Sequence, residues 1–344
     1  SEGQALCVLS EPLRQALERT LRDGRQAMLF LNRRGYATFA LCDACGHVLG
    51  CPHCTVSLTL HKSSGALRCH QCGHARPVCQ TCPRCAEESV VSLGLGLERV
   101  EQEVQQVFPK AAVARLDSDT VGSPRELSDV LERMRARELD ILLGTQMIAK
   151  GHDFPAVALV GVILADIGLS MPDFRACERT FQTLTQVAGR AGRGEDRGRV
   201  LIQTFNPDHP AVVFARQHDS EGFVRYELQV RRRYGQPPFT RTALLGIRGQ
   251  RVDQVETVAR HVFDYVTRAL AHWGLQETCS VLGPAPAPIE RLKDNYRYHV
   301  YLKTDTASAR AKLLGALQAD LSVRRFASRH HCLIRIEVDP QSFL

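Results

Sequence analysis

No apolar run in this chain is long enough to cross a bilayer. The longest, Ala156 to Ala165, ends at the carboxylate of Asp166 and falls far below the ~20 residues a membrane helix needs. The opening "SEGQALCVLSEPL" has no Met and no basic region leading into an apolar one, so it is not expected to be a signal peptide and reads as an internal start. No internal repeat covers the chain, and the Pro-rich "GPAPAPIER" is expected to be a loop rather than a low-complexity domain. A balanced disulfide framework is absent too. The chain has 13 cysteines, an odd number, and nine of them crowd between Cys42 and Cys85. Such clustering without a secretion signal points to metal in a reducing compartment, so a cytoplasmic home is expected.

What is present is the composition of a folded chain. With 344 residues, 44% hydrophobic and 24% charged, it is too long for one small domain and suits two or three. A formal net charge of +7 permits a polyanionic partner without demanding one.

Short apolar runs alternate with helical periodicity. Ser10 is placed to cap a helix carrying Leu13, Ala16, Leu17 and Leu21, with Gly24 to end it, and "AMLFL" (Ala27 to Leu31) reads as a buried strand. After the cysteine-rich interruption the rhythm resumes: strand Val90 to Leu93, helix through Val100, Val104 and Val107, strand Val113 to Leu116, helix Pro124 to Arg137, strand Asp140 to Leu143. It continues with strand Val157 to Leu164, a helix from Pro172 and Asp173 towards Arg190, and strand Val200 to Thr204. This alternation predicts a parallel sheet covered by helices, an α/β fold with the cysteine module inserted as a satellite.

Residues 207–234 read as helical, and Pro237-Pro238 marks a boundary. Beyond it come strand Ala243 to Ile247, helix Val252 to Leu270, strands Ser280 to Leu282 and Tyr298 to Lys303, helix Ala307 to Leu321 and strand Leu333 to Val338. That order predicts a small α+β domain of ferredoxin-like type. The expected division is residues 1–41 with 86–206, a metal module at 42–85, a helical connector at 207–238 and a C-terminal domain at 239–344.

Four C-x-x-C pairs stand out: Cys42/Cys45, Cys51/Cys54, Cys69/Cys72 and Cys82/Cys85. Structural zinc takes four thiolates in a tetrahedron, so eight cysteines make two closed four-cysteine sites with no position left for a catalytic water. Three combinations of the pairs are open. Nesting is favoured, with Cys51, Cys54, Cys69 and Cys72 inside and Cys42, Cys45, Cys82 and Cys85 outside, because the inner loop closes locally. Cys79 is the spare thiol, and His47, His53, His61, His70 and His74 are alternative ligands or polar, DNA-facing side chains. With few apolar residues in this stretch, metal must supply most of its folding energy.

Two further motifs suit phosphate. "GTQMIAKGHDFP" (Gly144 to Pro155) follows a strand, where an α/β sheet presents its binding loops. "QVAGRAGRG" (Gln186 to Gly194) carries Arg190 and Arg193 three residues apart on one helix face, among glycines that allow close backbone approach.

With "LFLNRRGYA", "RLDSDT", "PDFRACERTFQTLTQVAGRAGR" and the closing "IEVDP", these motifs resemble the primosomal replication-restart helicase family, PriA or primosomal protein N′, over nearly the whole chain. The resemblance implies the second RecA-like lobe of a superfamily-two DNA helicase that binds stalled or branched forks and helps reload the replicative helicase. Within it Arg193 is the expected arginine finger, Arg190 a second phosphate contact, and Gly151, Asp153 and Gln186 border the nucleotide. Thr145 is expected to hold a phosphate of the tracked strand. The paired zincs resemble the family's module for fork binding and strand separation, and nucleoid association follows from the same reading.

The chain also departs from the family. No G-x-x-x-x-G-K-[ST] loop and no leading acidic magnesium motif occurs, so ATP with Mg2+ is expected only together with a first motor lobe, and this chain alone is not expected to hydrolyse ATP. Leu97 and Ile167 stand where the family tends to have Thr. These departures keep an alternative open, a motorless fork-binding scaffold of the restart primosome; an unrelated zinc-ribbon nucleic-acid binder is the third reading.

Basic residues gather at Arg33/Arg34, Arg231 to Arg233, Arg291/Lys293/Arg297 and Arg324/Arg325, with Tyr36, Tyr234, Phe239, Tyr296 and Tyr298 among them. Such a groove suits forked and single-stranded DNA, phosphates held by charge and unpaired bases stacked on rings. The segment "IERLKDNYRYHVYLK" resembles the family region that receives the acidic tail of single-stranded-DNA-binding protein, with Arg297 the residue to test. Other primosome proteins and the replicative helicase or its loader complete the expected partners.

Overall fold

The computed structural model describes residues 8–31, 39–42, 44–54, 56–61, 65–88, 90–93, 96–116, 123–145, 154–171, 173–189 and 198–342. In chain order the first elements are α1 (Glu11–Arg22), β1 (Gln26–Leu31), β2 (Phe39–Cys42), β3 (Thr59–His61), β4 (Ala66–Arg68), β5 (Ala75–Pro77) and β6 (Val90–Leu93). Next are α2 (Leu97–Val107), β7 (Val113–Leu116), α3 (Pro124–Arg135), β8 (Ile141–Gly144), β9 (Val157–Ile163), α4 (Asp166–Leu169), α5 (Ala176–Ala188) and β10 (Arg199–Ile202). The rest are α6 (Pro210–Gln217), α7 (Ser220–Arg233), β11 (Arg241–Gly249), α8 (Val252–His272), β12 (Cys279–Leu292), β13 (Asn295–Thr304), α9 (Ala307–Ala319), α10 (Leu321–Arg329) and β14 (Leu333–Val338). They form two compact units, one of Ser1–Arg34, Gly94–Leu169 and Cys177–Phe223, the other of Gly35–Leu93, Ser170–Ala176 and Val224–Leu344.

The first unit holds an all-parallel sheet in the order β10-β9-β1-β8-β7. Its central strand β1 is buried at all six positions, which is why Ala27 to Leu31 reads as an uninterrupted apolar run. Helix α1 turns Leu13, Ala16 and Leu17 inward and ends at Gly24, whose positive φ of 65° favours glycine. Gly161 in β9 lies under α1, where an added Cβ would stand 2.6 Å from Leu29 Cδ2 and 2.8 Å from Leu13 Cδ1. Ser10 does not cap the helix with its side chain as expected; its N–H instead donates to Gln203 Oε1 at 2.9 Å. Gln26 is buried, and its amide donates to the carbonyls of Met134 and Leu139 at 2.8 and 2.6 Å, pinning β1 to the end of α3. The core gathers Phe30, Leu142, Val160, Leu184 and Val187, closed by Phe181 stacked on Phe223 at 3.9 Å.

In the second unit the cysteine-rich stretch builds its own sheet, β5-β4-β3-β2-β6, antiparallel throughout. Strand β6 therefore belongs here, paired with β2, and not to the parallel sheet its apolar run suggested. The C-terminal sheet runs β12-β13-β11-β14, also antiparallel, with α8 between β11 and β12 and α9 and α10 between β13 and β14. This is the split βαβ arrangement that the element order predicts. Val255, Val258, Ala259, Val262, Val266 and Leu270 line the buried face of α8, at the spacing of a helical stripe.

Local chemistry accounts for the other differences. The helix expected from Pro172 begins at Ala176, because Asp173 accepts the Arg175 N–H at 2.9 Å and turns the chain first. The 207–234 stretch is two helices, since His218 takes a left-handed φ of 54° and Asp219 accepts the Gly222 N–H at 2.8 Å. Asp320 likewise caps a separate α10 through the Ser322 N–H at 2.8 Å. "GPAPAPIER" is no loop but part of β12, an edge strand whose register shifts around its prolines; an edge tolerates a residue with no N–H to donate.

Candidate functional site

The C-x-x-C pairs turn on backbone hydrogen bonds. Gly46 N–H donates to Cys42 O at 2.8 Å while Cys42 N–H donates to His47 O at 2.9 Å. The same double bond recurs with Cys69, Gly73 and His74, and with Cys82, Ala86 and Glu87. The residue after each of these second cysteines has positive φ: 70° at Gly46, 80° at Gly73 and 62° at Ala86. Glycine meets that requirement freely, whereas Ala86 adopts it against its Cβ.

These turns bring eight sulfurs into two groups, Cys42, Cys45, Cys82 and Cys85 in one and Cys51, Cys54, Cys69 and Cys72 in the other. The nested combination is thus the one the fold adopts. Sulfur separations are 3.6 Å for Cys42 and Cys85 and 3.7 Å for both Cys45 with Cys82 and Cys51 with Cys72. A disulfide requires about 2.05 Å. Four sulfurs around zinc at about 2.3 Å stand about 3.8 Å apart, so the donor sets fit two tetrahedral ions with no open position. Backbone N–H groups of His53 and Arg84 point at Cys51 and Cys82 at 3.5 and 3.4 Å, as suits sulfurs carrying negative charge. Within the inner group a hydrogen bond from Cys54 pulls Cys69 down to about 5, and the same bond with burial pushes Cys54 up. Zinc held by these four thiolates would take the place of that shared proton. Cys79 stands outside both groups, with the Arg76 guanidinium at 3.9 Å.

The histidines are not ligands in these groups. His70 is held neutral by burial, its pKa lowered to about 4, and its Nδ1 meets Pro286 O of β12 at 2.7 Å. His61 meets Glu290 of the same strand at 3.4 Å, and the His61 and His70 rings lie 5.0 Å apart. Gly73 completes the contact, its Cβ position only 3.0 Å from Pro284 O. The metal module is thereby docked on the C-terminal sheet.

The helicase-type residues are only partly on view. Thr145 follows β8 half-buried, its N–H donating to Leu116 O at 3.3 Å, and Gln186 is exposed on α5. Arg33, Arg34, Gly151, Asp153, Arg190 and Arg193 lie outside the described residues, as does Tyr36. Leu97 is fully buried at the start of α2, and Ile167 lies in α4.

The basic patches divide. Arg231 is bound to Glu227 at 2.9 Å and lies over Phe174 at 5.3 Å, while Arg232 stacks on Phe239 at 4.7 Å. Tyr298 turns into the core beneath α8, with its hydroxyl 3.5 Å from Glu256, so it is not the stacking residue expected. Arg297 faces the other side of the sheet and lines a concavity of about 300 Å³ with Arg248, Arg335, Lys293 and His299. Arg248, Arg335 and His299 went unnoticed in the sequence, although strand alternation places them on the face of Arg297.

Comparison with known proteins finds a family model similar to each of these parts. The Primosomal protein N C-terminal domain matches residues 232–341, the PriA DNA helicase Cys-rich region domain residues 51–77, and the Helicase conserved C-terminal domain residues 87–195. The first unit is accordingly a RecA-like helicase second lobe. Replication restart protein PriA of Bacillus subtilis is 42% identical over 337 residues, 97% of this chain and 40% of that protein. That of Rickettsia typhi is 37% identical over 336 residues, 97% of this chain and 50% of the relative. That of Treponema pallidum is 42% identical over 296 residues, 86% of this chain and 44% of the relative. The chain spans half or less of the length of these relatives. Among the described residues no helix is long and apolar enough to cross a membrane.

Proposed function

Because this chain matches the C-terminal part of the PriA family of replication restart proteins, we propose that it serves as the fork-binding and motor-completing part of a restart helicase. The observation that carries this reading is the pairing of two closed four-cysteine groups with a parallel helicase lobe in one chain. The two zincs are structural, holding a module with little apolar core in a shape that a nucleic acid junction can engage.

In this reading the functional division is residues 1–41 with 86–206 for the motor, 42–85 for metal, 207–238 as connector and 239–344 for DNA and partners. Arg193 contributes positive charge to phosphoryl transfer, Arg190 a second contact, and Gln186, Gly151 and Asp153 border the nucleotide. Thr145, Arg33 and Arg34 hold DNA phosphates. ATP with Mg2+ would supply the driving force once a first lobe completes the cleft. Single-stranded-DNA-binding protein, through its acidic tail, and the replicative helicase or its loader are the proposed partners, at the nucleoid.

ATP hydrolysis by the complete native protein, with and without forked DNA, tests the proposal. Turnover stimulated by forks and lost in Arg193→Ala supports it; tight fork binding without turnover would leave only a scaffold, and equal binding to linear and branched DNA would count against the family role itself. Loss of tail binding in Arg297→Ala would support that contact, and unchanged binding would remove it.

A further inference from the structure

On the C-terminal sheet one face packs on α8 to α10 and the other is open over part of its area. Pairing sets Arg248 opposite Arg297, and Gly246 opposite both His299 and Arg335. Alternation then points Arg248, Arg297, His299 and Arg335 to the same open face, around the floor left bare by Gly246. Leu244 and Leu292 supply apolar wall, Lys293 adds a cation, and Glu337 is the one carboxylate in the lining.

Two observations say that this concavity is built for a ligand. First, like charges outnumber the single carboxylate of the lining: among the described residues no ion pair involves Arg248, Arg297 or Arg335. Burial, then the charges of Arg248 and Arg335, lower the pKa of the Arg297 guanidinium, which records the cost of holding them together. Second, His299 is 5% exposed and its Nδ1 has no hydrogen-bond partner. Burial, followed by the charges of Arg297 and His70, lowers it to about 3, so the ring that lines the concavity is neutral.

We infer that this pocket is a phosphate-binding site, with Arg248, Arg297 and Arg335 as its clamp and His299 at its floor. Three guanidinium groups call for an anion with more acceptor oxygens than the two of a carboxylate, and a phosphate group has them. The bare floor at Gly246 lets such a group approach the backbone closely. The phosphate can come from an unpaired nucleic-acid strand or from a free nucleotide. The strand source deepens the DNA-binding role proposed above and rests on it, whereas the pocket chemistry does not.

Gly246→Leu is the decisive variant. A Cβ at Gly246 meets nothing closer than Arg335 O at 3.9 Å, so a side chain there fills the pocket without displacing the strand. Arg335→Gln removes one charge while keeping a polar side chain, and Arg251→Ala, at an exposed arginine outside the lining, is the control. The zinc-loaded chain is titrated with inorganic phosphate, thymidine 5′-monophosphate and a short oligothymidylate, following His299 ring resonances by NMR and affinity by anisotropy.

His299 should shift with a phosphate probe in the native chain and in Arg251→Ala, but not in Gly246→Leu. Affinity should fall roughly tenfold in both pocket variants, and Arg335→Gln should lower the salt slope of strand binding by about one. Response to the oligothymidylate alone names a strand site, and response to the mononucleotide as well names a nucleotide site. Equal affinity of all probes in native and Gly246→Leu would overturn the inference, as would a pocket answering only to an acidic peptide with a free C-terminus. Failure of native chain to bind forked DNA would sink the preceding proposal instead, since the His299 titration reads the pocket independently.

Discussion

Cys42 and Cys85 stand 43 positions apart in the chain and their sulfurs 3.6 Å apart. That contact closes the whole cysteine-rich insertion at its base, where β2 and β6 pair and lead back to the helicase lobe. The inner group, in contrast, ties only Cys51 to Cys72. The two zincs therefore hold different things: the outer one the neck of the module, the inner one its hairpin of β3 and β4.

The consequence is separable. Cys45→Ser should release one of two zincs and leave the inner group loaded, while Cys54→Ser should do the reverse. Metal analysis gives the count, and limited proteolysis gives the place, with cleavage near residues 42–51 for the outer variant. Removal of both zincs by a chelator should unfold the module, since each site contributes on the order of 10 kcal/mol in small zinc peptides. A chelated module with unchanged far-UV circular dichroism and protease resistance would refute this.

Ala86 offers a gain of stability. It holds a φ of 62° at the turn where the equivalent positions are Gly46 and Gly73. Ala86→Gly should relieve about 1 kcal/mol of backbone strain and slow zinc loss from the outer group. The reverse change, Gly73→Ala, should weaken the inner group, because its Cβ would meet both a left-handed backbone and Pro284 O at 3.0 Å. Zinc release timed with a chromogenic chelator reads both.

Gly161→Ala should destabilise the helicase lobe by about 1–3 kcal/mol. Its Cβ would stand 2.6 Å from Leu29 Cδ2 and 2.8 Å from Leu13 Cδ1, so these two packed side chains have to leave their present positions. Urea titration of the chain and of this variant measures the loss, and an unchanged midpoint would show that Leu13 and Leu29 make room for the Cβ without cost.

How much of this was legible in the sequence depended on range. Local signals carried well: the apolar run of β1, the stripe on α8 and the four C-x-x-C turns each depend on residues a few positions apart. The nested zinc pairing also followed, because the shorter loop closes at lower entropic cost. Long-range pairing did not carry. The four residues of β6 fit a parallel strand or the partner of β2 equally well, and only the closing of the Cys42 and Cys85 pair decides between them. Helix breaks at His218 and Asp320 were hidden because one residue's backbone angle or carboxylate ends a stretch whose composition remains helical. Arg248, Arg297 and Arg335 come from three strands far apart in sequence, so no motif announces them.

Arg231 shows how a basic cluster in sequence can mislead about affinity. Of Arg231 to Arg233, the first is 11% exposed in its side chain and its partner Glu227 is 9% exposed, with 2.9 Å between them. It also donates to Pro237 O at 3.3 Å and covers the Phe174 ring. A guanidinium so engaged has little left for a DNA phosphate. Glu227→Ala should cost about 3–5 kcal/mol by leaving that charge buried without its carboxylate, whereas the double change of Glu227 and Arg231 to Met should restore most of the stability. Thermal melts of the single and double variants test the pair, and fork binding of Arg231→Ala, once folded, should match the native chain. A weaker fork complex with an unchanged melting temperature would instead place Arg231 on the nucleic acid.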